Sequence, residues 1–330
     1  MFDGKKVLIT GGTGSLGKAL TKKILKTNVD TIRIFSRDEL KQVQMQSEFD
    51  DKRIRFLIGD VRDKERLLRA FEDIDIVIHA AALKHVPVAE YNPFEAVKTN
   101  VYGSENVLNA CLDKNVELAL AIGTDKAVSP FNTYGATKLL MEKLFISGNY
   151  YKGKQRENLK FLCVRYGNVL GSRGSIVPTL SKQILDGKKI TITDPNMTRF
   201  NITMTQAIDL IFRTIKNGDG GQVFIPKLKA YRVGDMKDAI LDLMDAKNDV
   251  EVISVRPGEK YHEVLINKDE IRNSLESETD YIIFDEKMNN KNNLPFSNLI
   301  EQYSSDKVEL FTKNELKDIL LAENLLPPKG

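Results

Sequence analysis

The amino-acid sequence predicts an α/β protein, with a doubly wound parallel sheet as its main part and a smaller, discontinuous α/β lobe as the remainder. Two observations predict the sheet. From residue 5 to about residue 170, short runs rich in β-branched residues alternate with amphipathic helical stretches. The runs are almost entirely apolar, which is typical of strands that helices cover on both faces.

Six strands are predicted in this first part. In chain order they are KKVLIT, TIRIFS, RIRFLIGD, IDIVIHAAA, LALAIGT and LKFLCVRYGNV. The helices between them include GKALTKKILKT, KERLLRAFEDI and GSENVLNACLDKN. Because parallel neighbours need a crossover connection, helices between the strands are what a parallel sheet requires.

After about residue 170 the regular alternation fades, and Gly, Pro and Arg become frequent. One helix, MTQAIDLIFRTIKNG, and one strand, GGQVFIP, are predicted to return to the first sheet. We therefore assign residues 1–170, together with 200–227, to a first domain, and residues 171–199 and 228–330 to the smaller lobe. The polar run MNNKNN at residues 288–293 is predicted to be a loop.

The composition indicates a globular protein and argues against several kinds of partner. Of 330 residues, 42% are hydrophobic, and 49 Lys+Arg against 46 Asp+Glu leave a formal charge of +3. The charges of both signs are interspersed, so we expect no nucleic-acid partner. The chain has no run of about 18 apolar residues, so we expect no membrane insertion.

The cysteines and histidines predict neither a disulfide nor a metal site. Cys111 and Cys163 lie inside apolar runs, which indicates buried, reduced thiols and a cytoplasmic location. The three histidines show no metal-ligand spacing, so we predict no metal. His79, at the end of the fourth strand, is predicted to be packed rather than catalytic.

A glycine-rich loop, GGTGSLG, follows the first strand and precedes a helix. Glycines there permit a tight turn and close approach of the backbone to a pyrophosphate, and a helix N-terminus offers free N–H groups. This context predicts a dinucleotide site of the Rossmann type, with a simple tight turn as the alternative. The predicted cofactor contacts in the loop are Gly11, Thr13, Gly14, Ser15, Leu16 and Gly17.

The end of the second strand bears on the choice between NAD and NADP. Ser36 and Arg37 stand where an NAD site would have a carboxylate, and Arg37 suits a 2′-phosphate, so NADP is favoured. Asp38 and Glu39 follow closely and leave NAD open, and Arg37 could be a solvated charge. Further predicted cofactor contacts are Lys41, Asp60 at the adenine amino group, Val61 at the ring, and Ala80, Ala81 and Ala82 beside the pyrophosphate.

Tyr134 and Lys138 form a Y-x-x-x-K pair on one face of a helix, and both are also expected to contact the cofactor. An ammonium beside the phenol would favour the phenolate, which can remove a hydroxyl proton as hydride leaves the same carbon. Thr124, at the end of the fifth strand, can hydrogen-bond that hydroxyl. Such a pair alone is common on surfaces, but together with the glycine-rich loop and Thr124 it predicts oxidation of a hydroxyl group.

Asp125 and Lys126 place an acid and a base directly after Thr124. Hydride transfer alone has no use for either group, so the pair predicts a reaction with a further proton-transfer step. The alternative is a loop ion pair without a chemical role.

The sequence resembles the extended short-chain dehydrogenase/reductases and, within them, the inverting UDP-N-acetylglucosamine 4,6-dehydratases. The resemblance extends from residue 1 to about residue 265 and continues weakly to the end. It implies NADP as cofactor, a UDP-sugar as substrate and a homo-oligomer, either a dimer or a hexamer. The matching segments are TGGTGSLGK, SRDELKQ, GDVRDKERL, VIHAAALKHVPVAEYNP, KTNVYGSENV, TDKAVSPFNTYGATK, RYGNVLGSRGSIVP, TDPNMTRF and RPGEKYHE.

The resemblance also implies a reaction. Such enzymes oxidise carbon 4 of the sugar, eliminate water across carbons 5 and 6, and return the hydride to carbon 6. Lys126 would be the base at carbon 5 and Asp125 the acid for the leaving hydroxyl, and Lys126 stands where related retaining enzymes usually have Glu. To act as a base Lys126 must lose its charge, so burial or nearby Lys138 is expected to lower its pKa.

The substrate-binding residues are carried over from the same resemblance. Arg199 and Arg256 are suited to bidentate phosphate contacts and would bind the UDP diphosphate and ribose. Asn168 would touch a phosphate, Glu259 would hold the uridine ribose, and Lys84 could contact sugar or phosphate. Each of these residues could instead be a solvated or structural group.

Two other functions stay open on the sequence. A UDP-sugar 4-epimerase would share the cofactor site and the Tyr134/Lys138 pair but would have no use for Asp125 and Lys126. A non-catalytic nucleotide-sensing protein would need none of the four. The dehydratase would make UDP-2-acetamido-2,6-dideoxy-β-L-arabino-hex-4-ulose, an early intermediate of surface-glycan or flagellin sugars.

Overall fold

The computed structural model describes residues 1–172, 174–285 and 294–327. The loop predicted at residues 288–293 lies outside these described residues. The described strands are β1 Lys6–Thr10, β2 Thr31–Ser36, β3 Ile54–Ile58, β4 Ile76–His79, β5 Leu118–Ile122, β6 Lys160–Val164, β7 Asn168–Val169, β8 Ile190–Ile192, β9 Thr198–Ile202, β10 Gln222–Pro226, β11 Ala230–Arg232, β12 Val250–Val252, β13 Val264–Ile266, β14 Ser274–Glu276, β15 Asp280–Phe284 and β16 Tyr303–Ser304.

Nine of the described strands form the main sheet, in the order β14-β15-β10-β6-β5-β4-β1-β2-β3. The strands from β10 to β3 in this order run parallel. All six predicted strands are found in this sheet, except that the end of LKFLCVRYGNV forms the separate strand β7. The returning strand GGQVFIP is also confirmed, because β10 pairs with β6.

Helices cover both faces of this sheet. Alternate strand residues enter two separate apolar clusters, with Val7 of β1 in one and Leu8 in the other. Helices α1, α2 and α9 contribute to the Val7 cluster, and α3, α6 and α7 contribute to the Leu8 cluster. The described α-helices are α1 Ser15–Ile24, α2 Glu39–Phe49, α3 Lys64–Ala70, α4 Val86–Tyr91, α5 Pro93–Val97, α6 Gly103–Asp113, α7 Thr133–Tyr151, α8 Ile176–Leu185, α9 Met204–Asn217, α10 Val233–Met244, α11 Lys268–Ile271 and α12 Lys313–Ala322.

The smaller lobe has an apolar cluster of its own. It joins Leu180 of α8, Ile240 of α10 and Leu320 of α12 with Ile190 of β8. The described short sheets are β11-β9-β7, β12-β8 and β13-β16. The discontinuous lobe predicted from the loss of βα alternation is therefore present.

One boundary differs from the prediction. The sequence analysis places residues 228–330 in the smaller lobe, but β14 and β15 belong to the main sheet. β15 pairs antiparallel with β10, and β14 pairs antiparallel with β15. These two strands are short and no helix separates them, so the βα pattern that indicates parallel strands cannot reveal them.

A buried arginine joins the main sheet to the second half of the chain. Arg165, fully buried directly after β6, donates from Nε to Glu142 Oε2 of α7 at 3.1 Å. Its Nη2 donates to Glu270 Oε1 of α11 at 2.9 Å, and its Nη1 donates to the Leu265 carbonyl at 2.8 Å. The guanidinium thus holds α7, α11 and β13 together.

We expect Arg165→Met to lower the free energy of unfolding by about 3–5 kcal/mol, because a buried charge loses its counter-ion. That charge is Glu142, whose side chain is 2% exposed. A matched control is Lys114→Met, which removes a partner of the exposed Glu72 and should cost about 1 kcal/mol or less. Urea unfolding of both variants measures the difference, and equal losses would contradict the role given to Arg165.

Candidate active site

A cavity of about 1270 Å³ opens beside the main sheet. It lies at the carboxyl ends of β1 and β4, where the strand order reverses, because β4 lies on one side of β1 and β2 on the other. Open α/β sheets bind their ligands at such a point. The cavity is lined by every residue predicted to contact cofactor or substrate, and by Thr124 and Lys126. Asp125 is not among the described residues that line the cavity.

The glycine-rich loop forms a cradle between β1 and α1. Gly11 has a φ of +67°, and a Cβ there would lie 2.9 Å from the Ala81 Cα. A Cβ on Gly17 would lie 2.3 Å from the Gly12 carbonyl oxygen. Gly14 is the N-cap of α1 and offers no side-chain cap, so the first N–H groups of the helix are suited to an anion.

The adenosine end contains a charge cluster. Arg37 is 59% exposed, and its Nη1 lies 3.6 Å from Asp60 Oδ2. Asp60 also accepts from Arg62 Nε and Nη2 at 2.9 and 2.7 Å. Burial raises the pKa of Asp60, but the bonds from Arg62 and the charge of Arg37 outweigh burial and hold it below its usual value. Arg62, in the quoted segment GDVRD, is a residue that the sequence analysis missed.

Two other predicted residues at this end are engaged within the protein. Ser36 is buried, and its Oγ accepts from Gln42 Nε2 at 3.0 Å. Lys41 donates to the carboxylate of Asp38, which also caps α2. Asp38, the residue that leaves NAD open in the sequence, is thereby held at the start of α2.

His79 is packed, as predicted. It is 1% exposed, with Nδ1 2.8 Å from Thr10 Oγ1 and Nε2 3.0 Å from Ser104 Oγ. Burial and the charge of Lys138 lower its pKa to about 3, so the ring is neutral near neutral pH. Cys111 and Cys163 are the buried free thiols that the sequence predicts. Within the described ranges, no His, Cys, Asp and Glu cluster has the arrangement of a metal site.

Tyr134 and Lys138 lie on the first turns of α7, and both line the cavity. Asn132 caps this helix, since its Oδ1 accepts from Gly135 N at 2.7 Å. A Cβ on Gly135 would lie 2.1 Å from the Lys126 carbonyl oxygen. Glycine at this position therefore lets the helix that carries Tyr134 approach the loop that carries Lys126.

The electrostatics of the Tyr134 phenol differ from the prediction. Lys138 Nζ lies 2.8 Å from Met141 Sδ, and burial lowers the pKa of Lys138 to about 8. Burial raises the pKa of Tyr134, against the charge of Lys126 and a hydrogen bond with Thr124. In this structure Lys126, and not Lys138, is the cation whose charge favours ionisation of Tyr134.

Lys126 lies between two carboxylates. Its Nζ is 3.1 Å from Asp125 Oδ1 and 3.5 Å from Glu263 Oε1, and it donates to Asn168 Oδ1 at 3.2 Å. Asp125 Oδ1 also accepts from Thr124 Oγ1 at 2.8 Å. The side chains of Asp125 and Glu263 are 1% and 3% exposed. Water therefore screens these charges very little.

The pKa of Lys126 is raised, whereas the sequence analysis expects it to be lowered. Burial lowers the pKa of Lys126, but the charges of Asp125 and Glu263 outweigh burial and raise it above its usual value. The prediction that burial or Lys138 would lower this pKa is therefore wrong. It omits Glu263, which stands in the quoted segment RPGEKYHE without an assigned role.

Two residues predicted to bind substrate bind each other. Arg199 is 6% exposed, and its Nη2 donates to Glu259 Oε1 at 3.0 Å. Its Nη1 donates to the Thr198 and Tyr261 carbonyls at 2.8 and 3.0 Å. Both side chains reach the cavity, but much of the guanidinium is used inside the protein. Arg256, by contrast, is an exposed cation at the cavity.

Two lysines also lie at the end of the cavity where the substrate residues were predicted. Lys84 is exposed at the cavity. Lys260, which the sequence analysis missed, lines the cavity and donates from Nζ to the Val128 carbonyl at 2.6 Å. Burial lowers the pKa of Lys260. The pattern RPGEKYHE shows several charges in a row, and only the fold decides which of them it buries.

The profile of a family described as polysaccharide biosynthesis protein matches residues 7–285. The chain belongs to this family. An uncharacterized membrane protein of Methanocaldococcus jannaschii is 44% identical to it, over 97% of this chain and 96% of its own length. In the protein described here, no helix within residues 1–172, 174–285 and 294–327 is long and apolar enough to span a membrane.

Curated relatives bear two activity names. UDP-N-acetylglucosamine 4,6-dehydratase (inverting) of Campylobacter jejuni is 47% identical over 86% of this chain and 84% of its own. UDP-glucose 4-epimerase of Rickettsia massiliae is 39% identical over 97% of this chain and 96% of its own. The first of these relatives confirms the resemblance that the sequence motifs indicate.

Solved structures confirm the fold class. The X-ray structure of Pen from Bacillus thuringiensis is 38% identical with a TM-score of 0.94, and the match covers 99% of this chain and 100% of that chain. A dTDP-glucose 4,6-dehydratase, DesIV of Streptomyces venezuelae, has a TM-score of 0.72 at 20% identity, over 78% of this chain and 86% of its own. This second match shows the fold alone.

Proposed function

We propose that this family member is an NADP-dependent UDP-N-acetylglucosamine 4,6-dehydratase that inverts carbon 5. The observation that carries the proposal is the position of Lys126, which lines the same cavity as Tyr134 and the glycine cradle. An amine beside a site of sugar oxidation serves an elimination, because a simple oxidation needs no second base. The Campylobacter relative with this activity in its name is 47% identical.

The glycine cradle fits a dinucleotide. With a Cβ on Gly11 only 2.9 Å from the Ala81 Cα, any side chain would fill the space through which a pyrophosphate passes. Gly14 and the start of α1 would hold the pyrophosphate, and Asp60 would lie at the adenine. When bound, the nicotinamide would accept hydride from carbon 4 of the sugar and return it to carbon 6.

Tyr134 and Thr124 act on the carbon 4 hydroxyl. Thr124 Oγ1 orients that hydroxyl, and Tyr134, ionised to the phenolate, takes its proton as carbon 4 is oxidised. The charge of Lys126 favours ionisation of Tyr134. The same lysine thus supports both the oxidation and the step that follows it.

Asp125 and Lys126 perform the elimination. A ketone at carbon 4 acidifies the proton on carbon 5, which the neutral amine of Lys126 removes, while a proton from Asp125 lets the carbon 6 hydroxyl leave as water. Asp125 is 1% exposed and bonded to Thr124 Oγ1 at 2.8 Å, so its proton reaches the cavity through the Thr124 hydroxyl. A hydroxyl can pass a proton because it both accepts and donates.

Turnover of UDP-N-acetylglucosamine in deuterated water tests this proposal. The proton returned to carbon 5 comes from solvent-exchanged groups, so NMR should show deuterium at carbon 5 of a 4-keto-6-deoxy product. A product without this deuterium would exclude the elimination route. If no 4-keto product forms, the dehydratase function is refuted, and the epimerase and the nucleotide-sensing interpretations are left.

A UDP-sugar 4-epimerase is a second candidate, favoured by the Rickettsia relative that matches 97% of this chain. It would use Tyr134 and Thr124 and leave Lys126 without a role. A 6-deoxy UDP-sugar separates the two functions, because it has no carbon 6 hydroxyl to lose. An epimerase would invert carbon 4 of this compound, whereas the dehydratase would release no water from it.

The proposed cofactor makes Arg37 the test residue. We expect Arg37→Ala to weaken NADP binding by about tenfold or more and to change NAD binding little, because it removes a charged hydrogen bond to the 2′-phosphate. Arg55→Ala is the matched control, since Arg55 is an exposed residue of β3 that is not part of the cavity wall. Fluorescence titration with both cofactors measures the effect, and equal weakening of the two would contradict a 2′-phosphate contact.

A further inference from the structure

Glu263 is a buried acid to which the proposed mechanism gives no role. It directly precedes β13, is 3% exposed and lines the cavity. Its backbone is held by Ser305, whose Oγ accepts from Glu263 N at 2.9 Å and whose N donates to Glu263 O at 2.8 Å. The second half of the chain thus places a carboxyl group against Lys126 from a fixed backbone.

The Glu263 carboxyl group is short of hydrogen-bond donors. Its Oε1 lies 3.5 Å from Lys126 Nζ and 3.9 Å from Arg199 Nε, both at ion-pair distances. Its Oε2 is buried and has no hydrogen-bond partner among the described residues. Asp125 Oδ2 also has no hydrogen-bond partner among the described residues, but Asp125 Oδ1 accepts from Thr124 Oγ1, Lys126 N and Lys126 Nζ, whereas no hydrogen bond to Glu263 Oε1 is found. Hydrogen bonds stabilise a carboxylate, so of the two acids beside Lys126, Glu263 accepts a proton more readily.

We propose that Glu263 takes up the proton that Lys126 must lose before Lys126 can act as the base. Glu263 is then a positioning residue that acts through Lys126, and the inference rests on the proposed dehydratase function. An N–H bond of the Lys126 ammonium breaks and an O–H bond forms on Glu263, which leaves a neutral amine and a neutral acid. The transfer uses no other reactant.

The remaining proton steps balance. The neutral amine forms an N–H bond with the proton of carbon 5 as that C–H bond breaks. Lys126 passes this proton to Asp125 along a contact of 3.1 Å, and Asp125 donates it through Thr124 to the carbon 6 oxygen, so that water leaves and Asp125 is again a carboxylate. Return of the proton from Glu263 to Lys126, along a contact of 3.5 Å, then restores the starting state. The proton that Tyr134 took from the carbon 4 hydroxyl balances the proton that is finally returned to carbon 5.

The groups around Glu263 are compatible with this transfer. Burial raises the pKa of Glu263 against the charge of Lys126, the charge of Asp125 raises it further, and Arg199 and Lys260 oppose the rise. Tyr231, also on the cavity wall, has its pKa raised by burial to about 12 and stays neutral. A transfer that turns two buried charges into two neutral groups removes the cost of keeping both charges out of water.

The pH profile of Glu263→Gln tests the inference. In the wild type the proton moves between Lys126 and Glu263, so kcat for dehydration should be nearly flat from about pH 6.5 to pH 9. In Glu263→Gln the lysine must lose its proton to water. We expect kcat to fall about 100-fold near pH 7 and to recover about tenfold for each unit of increasing pH. A kcat within about threefold of wild type, with a flat profile, would overturn the inference.

Two further variants complete the experiment. Glu259→Gln is the matched control, because it removes a carboxylate that binds Arg199 at 3.0 Å, and it should raise KM without changing the pH profile of kcat. Glu263→Asp keeps a carboxyl group and should keep a flat profile at a reduced rate, so it decides the matter if Glu263→Gln does not fold. A rising profile for Glu263→Asp contradicts the inference. If the wild type forms no 4-keto product, the proposed function fails instead.

Discussion

Lys126→Ala should stop the loss of water from UDP-N-acetylglucosamine while NADP still binds. Removal of a positioned base costs about 100-fold to 10,000-fold in rate. The variant keeps the glycine cradle. It also removes the ammonium that lies 3.1 Å from Asp125 Oδ1 and 3.5 Å from Glu263 Oε1. Oxidation of carbon 4 is the earlier step, so we expect the reduced cofactor to form and water loss to stop. The reduced cofactor should form more slowly than in the wild type, because Tyr134 loses the cation that favours its ionisation. Stopped-flow absorbance of the reduced cofactor and NMR of the sugar measure the two steps.

The control for this variant is Lys260→Met. Lys260 also lines the cavity, but its Nζ is bonded to the Val128 carbonyl at 2.6 Å. We expect this substitution to slow dehydration far less than Lys126→Ala. Near-normal turnover of Lys126→Ala, or equal losses in the two variants, would show that Lys126 is not the base.

Tyr134→Phe should block the reaction one step earlier. The phenolate form of Tyr134 takes the proton of the carbon 4 hydroxyl, so loss of the phenolic oxygen should lower the oxidation rate by about 100-fold to 10,000-fold. No reduced cofactor should accumulate on mixing with substrate, in contrast to Lys126→Ala. The same stopped-flow measurement therefore separates the two variants.

Tyr166→Phe is the matched control for this second variant. Tyr166 is a buried tyrosine of the same cavity wall, 6% exposed, and burial raises its pKa well above the usual value. It has no proton to transfer in the proposed mechanism, so the oxidation rate should change little. If Tyr134→Phe oxidises carbon 4 at a normal rate, the proton acceptor is another group.

Much of the site is predictable because its parts are local motifs at strand ends. In a parallel sheet the carboxyl ends of neighbouring strands meet at one edge, so residues that follow β1, β2, β4 and β5 come together whatever their separation in sequence. The glycine cradle, Arg37 and Thr124 were placed at this edge from the sequence, and the structure finds them lining one cavity.

The predictions fail where a residue or strand pairs with a partner that is distant in the sequence. The sequence analysis assigns Arg199 to the phosphates of the substrate, yet its guanidinium binds Glu259 and two backbone carbonyls. The residues of β14 and β15 were assigned to the smaller lobe, yet these strands extend the main sheet. In each case the partner lies at no regular spacing in the sequence, so a sequence pattern cannot predict the contact.

The sequence by itself determined the alternation of strands and helices up to about residue 170, the cradle at Gly11 and the positions of Thr124 and Lys126 at the end of the fifth strand. Period and composition suffice for these features, because each depends on residues only a few positions apart. Only the tertiary structure decided the charge on Lys126 and the burial of Asp125. Electrostatic interaction depends on distance in space and on exclusion of water, and it is the fold that brings Glu263 to 3.5 Å from the Lys126 ammonium.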